Sequence, residues 1–207
     1  VEAGFAMTEK EAADLYGTFI ALVFLTPFIG GLVADRYLGY KKSIVLGGIM
    51  MGAGYFMMGI HNLPMLYVAM TLVIVGNGFF KPNISTLLGN FYNEEKYLAK
   101  KDEGYNIFYM GINVGAFICN FFGAALQILL GWQYAFMAAG LGMFIGVIVF
   151  LLGTKHYGDK TEKKGIQEGD MPFSKIVLYI LVPSVVFGII GWLLKGVASD
   201  TNLDCAI

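Results

Sequence analysis

The stretch GNGFFKPNISTLLGNFY, residues 76–92, sets Lys81 and Pro82 side by side inside a run otherwise suited to lipid. A lysine at the centre of a membrane helix costs about 2.5–3.5 kcal/mol on insertion scales. Proline has no N–H to continue the helical ladder, so Pro82 leaves the carbonyl of Gly78 without its usual donor. In lipid that carbonyl must find another partner or face water. On a helix, Asn77, Lys81 and Ser85 are spaced by four and fall on one face. A deep cation, small polar side chains and a loosened turn on one face predict a cavity wall that binds an anionic group. The plainer reading is a lysine that snorkels to the interface. Position opposes it, because about two helical turns separate Lys81 from the nearer end of its span. The run Gly76-Asn77-Gly78 before Lys81 has neither the spacing nor the strand–turn–helix setting of a phosphate loop. Asn83-Ile84-Ser85 matches a glycosylation sequon but lies within the span.

The rest of the chain supports a membrane reading. Of 207 residues, 57% are hydrophobic and 14% charged, with a mean hydropathy of +0.67. A soluble domain carries about 25% charge, and a chain of this length has no interior large enough to hide so much apolar surface. The net charge of −1 gives no reason to expect a nucleic-acid partner. The two cysteines, Cys119 and Cys205, make no disulfide framework. The sequence opens on Val-Glu-Ala-Gly without a signal peptide and stops abruptly, and we read it as a fragment of a longer protein.

Six segments reach the roughly 20 residues needed to cross a bilayer as helices. They are 14–34, 43–61, 65–88, 104–130, 133–153 and 173–195. They are too long and too uniformly apolar for strands. Residues 1–153 are expected to form a five-helix block and 154–172 a polar cytoplasmic linker. Residues 173–195 are expected to form a further membrane helix and 196–207 an outward-facing tail.

Basic residues set the orientation. Arg36, Lys41, Lys42, Lys96, Lys100, Lys101, Lys155, Lys160, Lys163, Lys164 and Lys175 fall on one side, against Lys10 and Lys195 on the other. The first side is therefore cytoplasmic, and residues 1–13, 61–64 and 131–132 face outward. The fourteenth basic residue is Lys81, the one within a span. All fifteen Asp and Glu residues lie in loops or at span ends, so the sequence holds a deep cation and no deep carboxylate to pair with it.

Two further constellations carry polar chemistry. In YNIFYMGINVGAFICNFFGAALQ, residues 105–127, the residues Asn106, Tyr109, Asn113, Asn120 and Gln127 fall along one face, with Ala116 between. Polar contacts between membrane helices are common and worth about 0.6 kcal/mol each. Tyr109 and Asn113, at a depth like that of Lys81, are expected to line a substrate cavity. In GGLVADRYLGYKK, residues 30–42, Asp35 and Arg36 are followed by a Gly39 turn and by Lys41 and Lys42. This is a topology-setting basic loop. Asp35 is also placed to accept from a neighbouring helix N-terminus, or to form ion pairs present in one conformation only. The pairs Gly48 and Gly52, Gly111 and Gly115, and Gly142 and Gly146 permit close helix approach. His61 and His156 stand alone, no metal cluster is visible, and no nucleophile–base pair suggests an enzyme.

The GGLVADRYLGYKK loop resembles the one between helices two and three of the major facilitator superfamily. GNGFFKPNISTLLGNFY and FYMGINVGAF closely resemble the two signatures of its proton-dependent oligopeptide transporter (POT/PTR) family, in the right order on consecutive spans. The resemblance implies an all-α membrane fold. The chain would supply helices two to six of the N-terminal six-helix bundle, lacking helix one, plus the first of two extra inter-bundle helices. It implies that Lys81 serves peptide carboxylate recognition and proton coupling, and that Tyr109 and Asn113 line the peptide site, Asn113 near the amino end. Asn77 joins them by its place on the Lys81 face. Asp35, Arg36 and Lys41 match the cytoplasmic gating motif. Phe24 stands where many members carry a cavity tyrosine, a departure that loses a hydroxyl.

The function so implied is proton-coupled symport of di- and tripeptides by alternating access, in a cell membrane of bacterial inner-membrane type. No cofactor is expected beyond the coupling proton. The expected partners are the peptide, the lipid bilayer, the absent helix one with its E-x-x-E-R carboxylates, and the C-terminal bundle. A related carrier of nitrate or another small anion or metabolite is the first alternative, and a non-transporting scaffold or sensor the second.

Overall fold

The computed structural model describes residues 7–93, 95–154 and 175. The chain divides into two units, Val1–Gly165 and Ile166–Ile207, and the account below concerns the first. The expected linker beyond residue 154, the helix at 173–195 apart from residue 175, and the tail at 196–207 lie outside the described residues.

Among the described residues the structure is helical, with no strand. Helix α1 spans Glu9–Val33. Thr8 caps it: its hydroxyl accepts from the Glu11 N–H at 3.3 Å, and the Glu11 carboxylate accepts from the Thr8 N–H at 2.9 Å. This capping box satisfies two donors that a helix start otherwise leaves bare. A π-helical turn, Ala34–Leu38, then widens the last turn of α1, and Gly39 takes φ 80, a conformation that favours glycine. Helix α2 spans Tyr40–Met58 and α3 spans Leu63–Phe91. Asn62 caps α3 by accepting from the Met65 N–H at 3.3 Å. A short α4, Glu95–Leu98, leads to α5, Lys101–Leu129. Gly131, at φ 105, turns the chain into α6, Trp132–Gly153.

The helices pack as a row, α1 on α3, α3 on α2, α2 on α6 and α6 on α5, with α5 touching α3 near one end. Tyr40, Ile44 and Leu87 form the buried core where α2 meets α3, with Phe80, Ile84 and Phe150 against them. Gly47 and Gly76 meet backbone to backbone, and Gly48 and Gly52 receive Val147 and Phe144 of α6. Between membrane helices close approach is a main source of attraction, since lipid is as apolar as leucine. The other two glycine pairs, Gly111 with Gly115 and Gly142 with Gly146, have open space where a side chain would stand.

Four segments are long and apolar enough to cross a membrane: Glu9–Leu38, Leu63–Phe91, Lys101–Leu129 and Trp132–Gly153. The expected span at 43–61 is not among them. Its helix, Tyr40–Met58, is long enough at 19 residues, but Lys41, Lys42 and four glycines lower its apolarity. Beyond Tyr40 and Ile44, its buried face is Ser43, Gly47, Gly48, Gly52 and Gly54, small residues against which α3 and α6 pack. Chain apolarity understates such a helix, whose neighbours rather than lipid surround it.

Candidate functional site

The site begins at the seam between α1 and α3, where each helix carries an internal proline. Pro27 withholds the N–H that the Val23 carbonyl would accept. The Asn77 side-chain amide of α3 donates to that carbonyl at 2.9 Å. One residue from Pro27, the Thr26 hydroxyl donates to the Ile74 carbonyl at 2.9 Å. Pro82 frees the Gly78 carbonyl in turn, and that carbonyl lies directly against Gly30. Gly31 packs on the Pro82 ring. Asn83, 1% exposed, donates to the Phe79 carbonyl at 2.7 Å and reaches the Gly30 carbonyl at 3.5 Å. The two interruptions therefore face one another, and the opposite helix occupies each gap.

This arrangement revises the stripe expected on α3. Asn77 is half-buried, with one of its two amide N–H groups on α1, so its second N–H and its side-chain oxygen remain for other partners. Ser85, also half-buried, donates back to the Lys81 carbonyl at 3.4 Å. The Gly78 carbonyl faces the α1–α3 seam rather than a cavity. Of the three stripe residues only Lys81 is exposed. Its ammonium stands over the Phe24 ring of α1, 5.5 Å from the centroid, and Phe24 is itself 67% exposed.

Helix α5 meets α3 where the Tyr105 hydroxyl donates to the Ser85 carbonyl at 3.2 Å and rests on Gly89. The two helices are successive spans and run in opposite directions. Lys81 lies one turn from Ser85 on α3 and Tyr109 one turn from Tyr105 on α5, each about 6 Å along its helix from the residue at this crossing. Tyr109 is 57% exposed, and Asn113, one turn further, is exposed too. Asn106 and Asn120 are also exposed, while Gln127 is half-buried. Two apolar cavities lie elsewhere. One of about 320 Å³ is lined by Leu87, Phe91, Phe108 and Phe150, and one of about 640 Å³ by Tyr55, Phe122, Trp132 and Phe136. Lys81, Tyr109 and Asn113 line neither. All three side chains are exposed.

At the C-terminal end of α1, the π-helical turn closes with the Gly39 N–H donating to the Ala34 carbonyl at 2.8 Å. The wide turn and Gly39 bring Tyr40 over Asp35, and the Tyr40 hydroxyl donates to Asp35 Oδ1 at 2.6 Å. Arg36 and Lys41 are half-buried beside them. Thr26, Pro27, Asn83 and Tyr40 were not visible as functional or seam residues in the sequence. Pro27 was the available signal, since a proline within a lipid-facing run asks for a donor from elsewhere. Among the described residues no His, Cys, Asp and Glu side chains gather to hold a metal ion.

Residues 41–186 match the family model described as the POT family. The chain is 31% identical over 201 residues to the di-/tripeptide transporter of Lactococcus lactis subsp. lactis strain IL1403, covering 97% of this chain and 40% of that protein. It is 34% identical over 181 residues to dipeptide and tripeptide permease A of Edwardsiella piscicida, covering 85% of this chain and 36% of that protein. The fold is similar to a crystal structure of the peptide transporter POT in complex with sulfate. The TM-score is 0.74 at 29% identity, over 93% of this chain and 38% of that one. The chain thus spans about two fifths of the length of the curated relatives it matches.

Proposed function

This chain belongs to the POT family, and from that premise we propose that the whole protein carries di- and tripeptides across the membrane together with protons. It is a multi-pass membrane protein with the all-helical fold of the major facilitator superfamily's peptide transporters. The observation that carries the proposal is Lys81. It is exposed deep within α3, on a face bordered by Phe24. An ammonium at this depth is costly unless water or an anion meets it, and a peptide carboxylate is such an anion.

In this reading Lys81 receives the peptide carboxylate. Tyr109 and Asn113 line the peptide, Asn113 toward its amino end. Phe24 flanks the ammonium, and the Asn77 side-chain oxygen stands at the back of the site. Carboxylates of a preceding helix hold Lys81 when ionised and release it when protonated, which links proton entry to peptide binding. A second bundle supplies the opposite wall, and Asp35, Arg36 and Lys41 belong to the cytoplasmic gate. The names of the two relatives support peptides over other anions as cargo.

Full-length protein in proteoliposomes, loaded with a pH-sensitive dye, tests this. Adding a dipeptide or tripeptide outside should acidify the interior, and adding nitrate or a free amino acid should not. A response to nitrate and none to peptide would replace the peptide reading with that of a small-anion carrier.

A further inference from the structure

The Tyr40 ring is 1% exposed and packs with Ile44 and Leu87 in the core between α2 and α3. Its hydroxyl, at the edge of that core, donates to Asp35 Oδ1 at 2.6 Å. The Asn90 side chain near the end of α3 lies beside the same hydroxyl. A buried phenol cannot turn away from its carboxylate partner without leaving a buried polar group unpaired. The bond to Asp35 is short and charge-assisted, the stronger kind. It is made possible by backbone shape. Asp35 and Tyr40 are five apart, a spacing that does not share a face on an α-helix. The π-helical turn with Gly39 at φ 80 brings them together. Such turns recur at functional sites.

We propose that Tyr40 is a positioning residue for the cytoplasmic gate. It fixes the Asp35 carboxylate to the bundle core through one oxygen and presents the other to the element that closes the gate. This rests on reading the protein as an alternating-access carrier in which Asp35 is a gate residue. A carboxylate fixed in advance loses less freedom when it meets a basic side chain or a helix N-terminus, so closure is favoured. Without the hydroxyl, Asp35 must be ordered at the moment of closure, and the cytoplasm-open state gains population.

The test is made on the full-length protein in lipid vesicles, with spin labels bridging the cytoplasmic mouth. Pulsed electron resonance then gives the ratio of closed to open distances. Tyr40→Phe keeps the ring packing and removes the hydroxyl. It should shift the ratio toward open by about two- to tenfold, the scale of ordering one side chain on closure. In an Asp35→Asn background the same substitution should add less than about twofold. An unchanged ratio in Tyr40→Phe, or an equal shift with and without the Asp35 carboxylate, overturns the proposal. If Tyr40→Phe does not accumulate, Asn90→Ala, which removes the side chain beside the phenol, is read against Asp35→Asn in the same way. Dipeptide uptake by the same vesicles is a separate reading. Its absence in the wild type overturns the peptide assignment, while the distance ratios judge Tyr40 by themselves.

Discussion

The Lys81 ammonium lies over the Phe24 ring, 5.5 Å from its centroid, and joins α3 to α1 at the level proposed for the peptide carboxylate. An exposed contact of this kind is worth about 0.5–1 kcal/mol. It holds the ammonium toward the open face, since the alternative for a flexible lysine is to wander along the groove. Phe24→Leu should therefore raise the KM for dipeptide uptake about two- to fivefold, on that energy scale. Phe24→Tyr keeps the ring and should stay near wild type. Equal KM values for Phe24→Leu and wild type would show that the ring does not position the lysine.

The Asn77 bond to the Val23 carbonyl exists because Pro27 withholds its own donor. Asn77→Leu should destabilise the full-length protein in detergent by about 1–2 kcal/mol, the cost of leaving a polar group unpaired. Pro27→Ala restores a backbone N–H for that carbonyl. In the Pro27→Ala background, Asn77→Leu should cost markedly less, and thermal unfolding of the four variants reads the difference. A cost independent of Pro27 would mean that Asn77 acts elsewhere.

The glycines divide sharply by surroundings. A methyl group at Gly30 would collide with the Gly78 backbone, whereas one at Gly111 would meet open space within this chain. Gly30→Ala should thus force α1 from α3 and lower stability by about 1–3 kcal/mol, the usual range for overpacking. It should also lower peptide uptake, because Phe24 and Lys81 sit across that seam. Gly111→Ala breaks no contact among the described residues. Melting temperatures in the same detergent decide between them.

Much of the helix layout was legible in the sequence because lipid imposes simple rules. Long apolar runs stand out. The helix ends were less clear. Thr8, Asn62 and the Ala34–Leu38 turn are set by caps and local geometry that apolarity does not mark. At the site, Lys81 stood out through cost alone, since a deep cation is rare. The reading of Asn77 and Gly78 as cavity wall missed that helical spacing fixes a face but not which neighbour covers it. Pro27 in α1 decided that matter, and its demand for a donor turned Asn77 toward α1. Tyr40 was invisible for a different reason: no regular helical period pairs residues five apart, and only the π-helical turn does so.

The central claim is that Lys81 couples peptide to proton, and proton-driven uptake of a labelled dipeptide measures it most directly. Proteoliposomes holding full-length Lys81→Ala, under an inward proton gradient, should take up dipeptide at the rate of protein-free vesicles, while wild type accumulates it. Uptake by Lys81→Ala at the wild-type rate under the same gradient would contradict the account.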